Sequence, residues 1–247
     1  MYYYLYDYFY IIIALLACTL FSAFTSARVN SQFSKYSKVL CHSGMTGSQA
    51  AHLLLSSNNV SGISVGCVEG KLTDHYDPQN DIVNLSDSTY GSSSVAAVAV
   101  AAHETGHVMQ KQTGYSFYNV RTALVPVVNF ASKLAIPLIC IGILMNVFVS
   151  GTNSTVGFYL AMTGVIFYGA SFVFTLVTLP VEFDASRRAA VMLKQEGILT
   201  NEELGMAKKV LSAAALTYVA AFLTSFIYFL RFLLYVLAAF GKRNERR

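Results

Sequence analysis

In "AAHETGHVMQ", residues 101–110, two histidines stand four positions apart and a glutamate directly follows the first. An α-helix turns about 100° per residue, so His103 and His107 project from one face, one turn apart. Both imidazoles can then reach a single ion lying about 2.0–2.1 Å from each nitrogen. Glu104 is rotated away from that face and is not placed as a ligand. It is suited instead to hold an ion-bound water and take its proton, because zinc lowers the pKa of such a water toward ~7. The HExxH spacing therefore implies hydrolysis by an activated water. The bland alternative is a helix whose two histidines face solvent or ordinary partners. Alanines and valines fill the turns before His103, which makes this helix a buried one, where unpaired polar groups cost a few kcal/mol. Gly106, between the two histidines, keeps the helix slim for close packing at the site.

A catalytic zinc takes three protein ligands and leaves one position for water. The other histidines are His42, His52 and His75, all in the same polar region. Outside that region the best third ligand is Glu182 in "LPVEFDASRRAA", expected to open a helix directly after an apolar run. Two apolar runs separate it from the HExxH helix, and an even number of membrane crossings returns the chain to the same side. In "LTDHYDP", His75 and Tyr76 are candidates to stabilise an oxyanion or contact substrate; the alternative is a polar turn built on Asp74 and Asp77. Arg187 and Arg188 could serve the same purpose, or be a basic pair flanking the membrane.

The elements that must position these groups follow from composition. Apolar residues make up 55% of the 247 and charged residues only 12%, against about 25% charged in a soluble domain. Too few charges remain to cover the chain in water, so a lipid-facing surface is implied. Basic residues cluster at 28–38, 187–188, 208–209 and 242–247, beside apolar runs, and form no aromatic-interleaved stripe; nucleic acid is set aside as a partner. The four cysteines, Cys18, Cys41, Cys67 and Cys140, show no CxxC spacing and are read as unpaired.

Four apolar runs are long enough to cross a bilayer of ~30 Å hydrocarbon thickness. The first, 5–24, lacks a basic leader and a clean cleavage site and is read as an uncleaved anchor with an aromatic belt at tyrosines 2–10. The runs at 123–149 and 156–180 form a hairpin through the uncharged link 150–155, the second run ending at Pro180. The last, 211–240, is interrupted by Arg231 and either crosses once or bends there to lie along the surface. Between the first two runs, "TGSQAAHLLLSSNN" reads as a helix opened by a Thr46–Gln49 capping box, "GISVGCV" and "DIVNLS" as strands, and "DHYDPQN" as a turn. "DIVNLS" could pair with an extended substrate.

The expected fold is thus a mainly α membrane protein of about four transmembrane helices with a small α+β zincin-like cytoplasmic domain. Residues 1–27 form the N-terminal anchor and 28–122 the zinc domain with the HExxH helix. Residues 123–181 form the hairpin, 182–210 bring the third ligand, and 211–247 supply the last helix and a basic tail. Lysines and arginines in the segments from Arg28 and from Glu182 put both on the cytoplasmic side, with the N-terminus outside; the basic tail conflicts with this if the last run crosses once.

Most of the length resembles the YugP-type neutral zinc metallopeptidases, a bacterial membrane family. The matching stretches are "FSKYSKV", "GMTGSQAA", "GKLTDHYDP", "VNLSDSTYGSSSVAAVAVAAHETGHVMQ", "RTALVPVVNFAS" and "LPVEFDASRRA". The resemblance implies a multi-pass membrane endopeptidase acting on polypeptides through one Zn2+, with His103, His107 and Glu182 as ligands and Glu104 as base. The pattern is also similar to HtpX and the CAAX prenyl proteases, whose Glu-aromatic-x-Ala-Asp motif supplies the third ligand. Ser186 stands where those proteins have Asp, so a carboxylate contact behind the ligands is either absent or supplied by Asp184. Two rivals differ in kind. A non-catalytic zinc-binding scaffold or sensor has no use for Glu104. A metal transporter needs ionisable partners along its spans, where Asp7, Lys133 and Arg231 stand isolated.

Overall fold

A computed structural model describes residues 2–148 and 154–241. The tyrosine side chains at 2–8, the 150–153 part of the link and the tail at 242–247 lie outside the described residues. The chain runs α1 (Tyr2–Tyr36), α2 (Gly47–Ser57), β1 (Ser64–Val68), β2 (His75–Asp77), β3 (Ile82–Ser86), α3 (Asp87–Tyr90), α4 (Val95–Gln112), α5 (Ser116–Phe148), α6 (Ser154–Gln195) and α7 (Asn201–Gly241). Among the described residues four helices, α1, α5, α6 and α7, are long and apolar enough to cross a membrane. The chain divides into two compact units.

The first unit comprises Met1–Ser22, Val120–Thr178 and Val219–Arg247. In lipid there is no hydrophobic drive between apolar helices, so association relies on close packing of small residues. Gly142 and Gly157 meet this need: a Cβ on Gly142 would lie 2.4 Å from the Gly157 carbonyl oxygen, and one on Gly164 would lie 2.6 Å from that of Ala135. Ile139, Ala161, Val165 and Val236 fill the buried centre, and Phe172 stacks on Phe229 at 5.6 Å.

The second unit comprises Ala23–Asn119 and Leu179–Tyr218. Its central element is α4, capped by the Ser94 hydroxyl accepting from the Ala97 N–H at 3.2 Å. Helix α2 opens on the expected capping box of Thr46 and Gln49. The sheet has the order β1-β3-β2, with β1 parallel and β2 antiparallel to β3. "DIVNLS" is therefore the central strand, with both edges occupied, and cannot receive a further strand. In place of the expected turn, "DHYDPQN" contributes β2, an outer strand, before it turns.

Two boundaries differ from expectation. Helix α1 does not stop with its apolar run; its last turns bury Phe33 and Tyr36 against Ala96 and Val210. Helix α6 passes unbroken through Pro180, so Glu182 sits inside a 42-residue helix rather than at the start of one. Proline removes one helical hydrogen bond and favours a break. Here the next four turns compensate, because Val181, Ala185, Ala189 and Leu193 are each fully buried at a four-residue spacing. Helix α7 is likewise unbroken at Arg231. The cysteines are all free, as expected.

Candidate metal centre

The site is built from two helices of the second unit. On α4, the alanine-rich turns pack inward and carry His103 and His107 on one face, their ring centroids 4.8 Å apart. On α6, the buried stripe that starts at Val181 turns the adjacent Glu182 toward them. Their approach depends on Gly106: a Cβ there would lie 2.6 Å from the main-chain oxygen of Ala185. The glycine expected to keep this helix slim does so against the helix that carries the carboxylate.

Glu182 Oε2 lies 3.3 Å from His103 Nε2 and 3.6 Å from His107 Nε2. One potential ligand atom from each of the three residues falls within 4.8 Å of the others. The chemistry of this donor set fits a bound cation: neutral imidazole nitrogens and a carboxylate oxygen all present lone pairs to one small volume. Two ligands of a tetrahedral zinc, each ~2.0–2.1 Å from it, stand roughly 3.4 Å apart, and the two observed separations bracket that value. An all-N/O set of two imidazoles and one carboxylate also matches zinc sites that keep a position open.

The side chains behind the ligands come from the same two helices. Ser186 Oγ lies 3.2 Å from His103 Nδ1, the place where the related motif has Asp. His107 Nδ1 lies 3.0 Å from Gln110 Oε1. Gln110 Nε2 donates to the Val181 carbonyl at 2.7 Å and to Asp184 Oδ2 at 3.1 Å. Asp184 in turn accepts from Arg187 and Arg188. The carboxylate contact thus comes from Asp184, through an amide, and to His107 rather than His103. Sequence reasoning missed Gln110, although its position three residues after His107 places it on the same helix face.

Electrostatics separate the two glutamates. Burial pushes the Glu182 carboxyl up, but the neighbouring imidazoles of His103 and His107 outweigh it and hold the group well below the usual carboxylate range. Burial pushes Glu104 up to about 7; His103 draws it back, while Glu182 and Asp74 push it further up. The main chain of Tyr76 adds a smaller lowering effect on Glu104, and β2 packs against α4. The turn that follows β2 is held to the end of α4 by Lys111, whose Nζ donates to the Pro78 carbonyl at 2.9 Å and to Asp81 Oδ1 at 2.6 Å.

His75 and Tyr76 are not placed as expected from their side chains. His75 is exposed, its Nδ1 2.9 Å from the Thr73 carbonyl and its Nε2 3.2 Å from Asn84 Nδ2. The Tyr76 hydroxyl donates to Asp81 Oδ1 at 2.8 Å; what Tyr76 offers Glu104 is its main chain. His42 and His52 are exposed and stand outside the cluster.

A family model described as "Putative neutral zinc metallopeptidase" matches residues 10–237. A Bacillus subtilis (strain 168) protein named "Putative membrane protease YugP" is 44% identical over 207 residues, covering 84% of this chain and 88% of that protein. No solved structure matches.

Proposed function

From the premise that this chain belongs to the neutral zinc metallopeptidase family, we propose that it is a membrane-embedded zinc endopeptidase. Its substrates on this reading are membrane proteins or membrane-proximal segments of polypeptides. His103, His107 and Glu182 hold one zinc ion, and Glu104 is the general base. The observation that carries this reading is the convergence of the three ligand atoms within 4.8 Å beside a buried glutamate that none of them needs as a ligand.

Zinc bound there supplies Lewis acidity toward the scissile carbonyl and the attacking water. The remaining chemistry belongs to the chain. Burial raises the Glu104 carboxyl above the usual carboxylate range, which suits a group that takes a proton and gives it back. It takes a proton from water as the water oxygen bonds to the carbonyl carbon. It returns that proton to the amide nitrogen as the carbon–nitrogen bond breaks. On this reading an extended substrate pairs with the outer strand β2, since β3 has both edges occupied.

The second unit serves, on this reading, as the zincin-like domain, and the lysines and arginines beside the spans favour a cytoplasmic side for it. Glu182 follows the apolar part of α6 within a few residues, which favours substrates presented close to the bilayer. The deciding experiment is cleavage of an unfolded protein by the purified full-length chain, before and after chelation and with zinc restored. Cleavage lost with the metal and regained with zinc is expected; cleavage indifferent to chelator refutes the reading.

A further inference from the structure

The hydrogen bonds around Gln110 permit only one arrangement of protons. Its side chain is fully buried, so no solvent is available to satisfy a misdirected group. One end of its amide faces two oxygens, the Val181 carbonyl at 2.7 Å and Asp184 Oδ2 at 3.1 Å. Neither can donate: the first is a main-chain carbonyl, and the second belongs to a carboxylate that accepts from Arg187 and Arg188. The amide nitrogen must occupy that end, since an oxygen there would face two acceptors at once. The opposite end is then Oε1, an acceptor, and it lies 3.0 Å from His107 Nδ1. A ring nitrogen facing an acceptor must carry the proton. In the neutral ring this leaves the lone pair on Nε2, the atom turned toward Glu182 Oε2 at 3.6 Å.

We infer that Gln110 is a positioning residue that locks His107 as the Nδ1–H tautomer and so aims its Nε2 lone pair at the metal position. The lock is oriented from outside inward: the two arginines hold the Asp184 carboxylate, Asp184 and the Val181 carbonyl orient the amide, and the amide orients the ring. Each link has one permitted sense. His103 has no such lock, because the Ser186 hydroxyl beside its Nδ1 can donate or accept. The same two helices that bring the ligands together thus also decide which nitrogen of one ligand is free. The inference rests on the zinc reading for its purpose but not for its geometry.

The test uses the full-length protein in detergent or nanodiscs, with zinc affinity measured by competition against a chromophoric chelator. Gln110→Met keeps the side chain's length and removes the acceptor. Loss of such a contact behind a ligand typically weakens metal binding about 10–100-fold, and that loss is expected here. In parallel, 15N-histidine NMR of the metal-free protein at about pH 9, well above the ordinary histidine range near ~6.5, reads the tautomer directly. The wild type should show His107 protonated on Nδ1, and Gln110→Met should shift it toward Nε2. Asp184→Asn, which can present either a donor or an acceptor to Gln110, should loosen the tautomer and weaken zinc binding less; it serves if Gln110→Met fails to fold. Wild-type affinity in the variants, or an Nε2–H wild-type ring, overturns the inference. A wild type that binds no zinc would remove the metal site itself, and the nitrogen shifts would still decide the tautomer.

Discussion

Gly106→Ala probes the contact on which the metal centre depends. The added Cβ would stand 2.6 Å from the Ala185 carbonyl oxygen and 3.2 Å from its Cα and carbonyl carbon. These are main-chain atoms inside α6, so no side chain can swing aside. Ordinary contact begins at 3.4 Å, so α4 and α6 must separate by about 0.8 Å to restore it. Glu182 is three residues from Ala185 on the same rigid helix and moves with it. A metal site tolerates ligand displacements of about ±0.2 Å; several times that shift should lower zinc affinity by about 10-fold or more. Stability of the metal-free protein responds to opposing effects. Overpacking costs about 1–3 kcal/mol, while replacing a helical glycine by alanine returns roughly 0.8–1 kcal/mol. A net loss of about 0–2 kcal/mol is expected. Gly205→Ala is the control, because nothing lies within 4 Å of its Cβ position on α7; it should stabilise by up to about 1 kcal/mol and leave zinc binding alone. The assays are chelator competition and thermal unfolding in one detergent. A Gly106→Ala protein with wild-type zinc affinity and undiminished stability would refute the claim that this close approach sets the site.

Glu104→Gln should keep its zinc and lose about 10²–10⁴-fold in cleavage, the usual contribution of a general base; a variant that still cuts removes Glu104 from the mechanism. Glu182→Ala should purify with depleted zinc by elemental analysis, and full occupancy would place the third ligand elsewhere. Cys41 is buried and Cys67 exposed, so Cys67 is the topology probe. An impermeant thiol reagent should label it only in opened cells, judged against Cys67→Ala, and slowly, because desolvation and the Asp87 carboxylate raise its pKa. Labelling in intact cells would place the zinc unit outside. Hydrogen bonds from Lys111 and Tyr76 hold the Asp81 carboxyl below its ordinary 3.8. A depressed carboxyl contributes stability above its unfolded value and loses it as pH falls through the folded one. Asp81→Asn should therefore lower the melting temperature at neutral pH, with the gap closing below about pH 4; a gap independent of pH would show that the β2 latch is not ionic.

Much of the site was legible in the chain because its signals are local. Four-residue spacing on a helix puts His103 and His107 on one face whatever surrounds them. Thr46 with Gln49 announces a helix start through contacts three residues apart. Apolar runs of about 20 residues announce candidate spans by length alone. The readings that failed depended on distant partners. Pro180 read as a stop, yet burial of Val181, Ala185, Ala189 and Leu193 carries α6 through it. "DIVNLS" read as an open strand, yet β1 and β2 cover both its edges.

His75 and Tyr76 show the same division. Their polar side chains suggested chemistry, and the fold directs them to Thr73, Asn84 and Asp81. What acts on Glu104 from this segment is main chain, which no motif can mark. The sequence by itself therefore determined which groups could bind a metal and move a proton, because residue type and helical spacing are local properties. How closely Glu182 approaches the imidazoles, and which ring nitrogen His107 presents, was decided only in the tertiary structure. Those outcomes depend on α4 and α6 meeting across Gly106, a contact between residues nearly eighty positions apart.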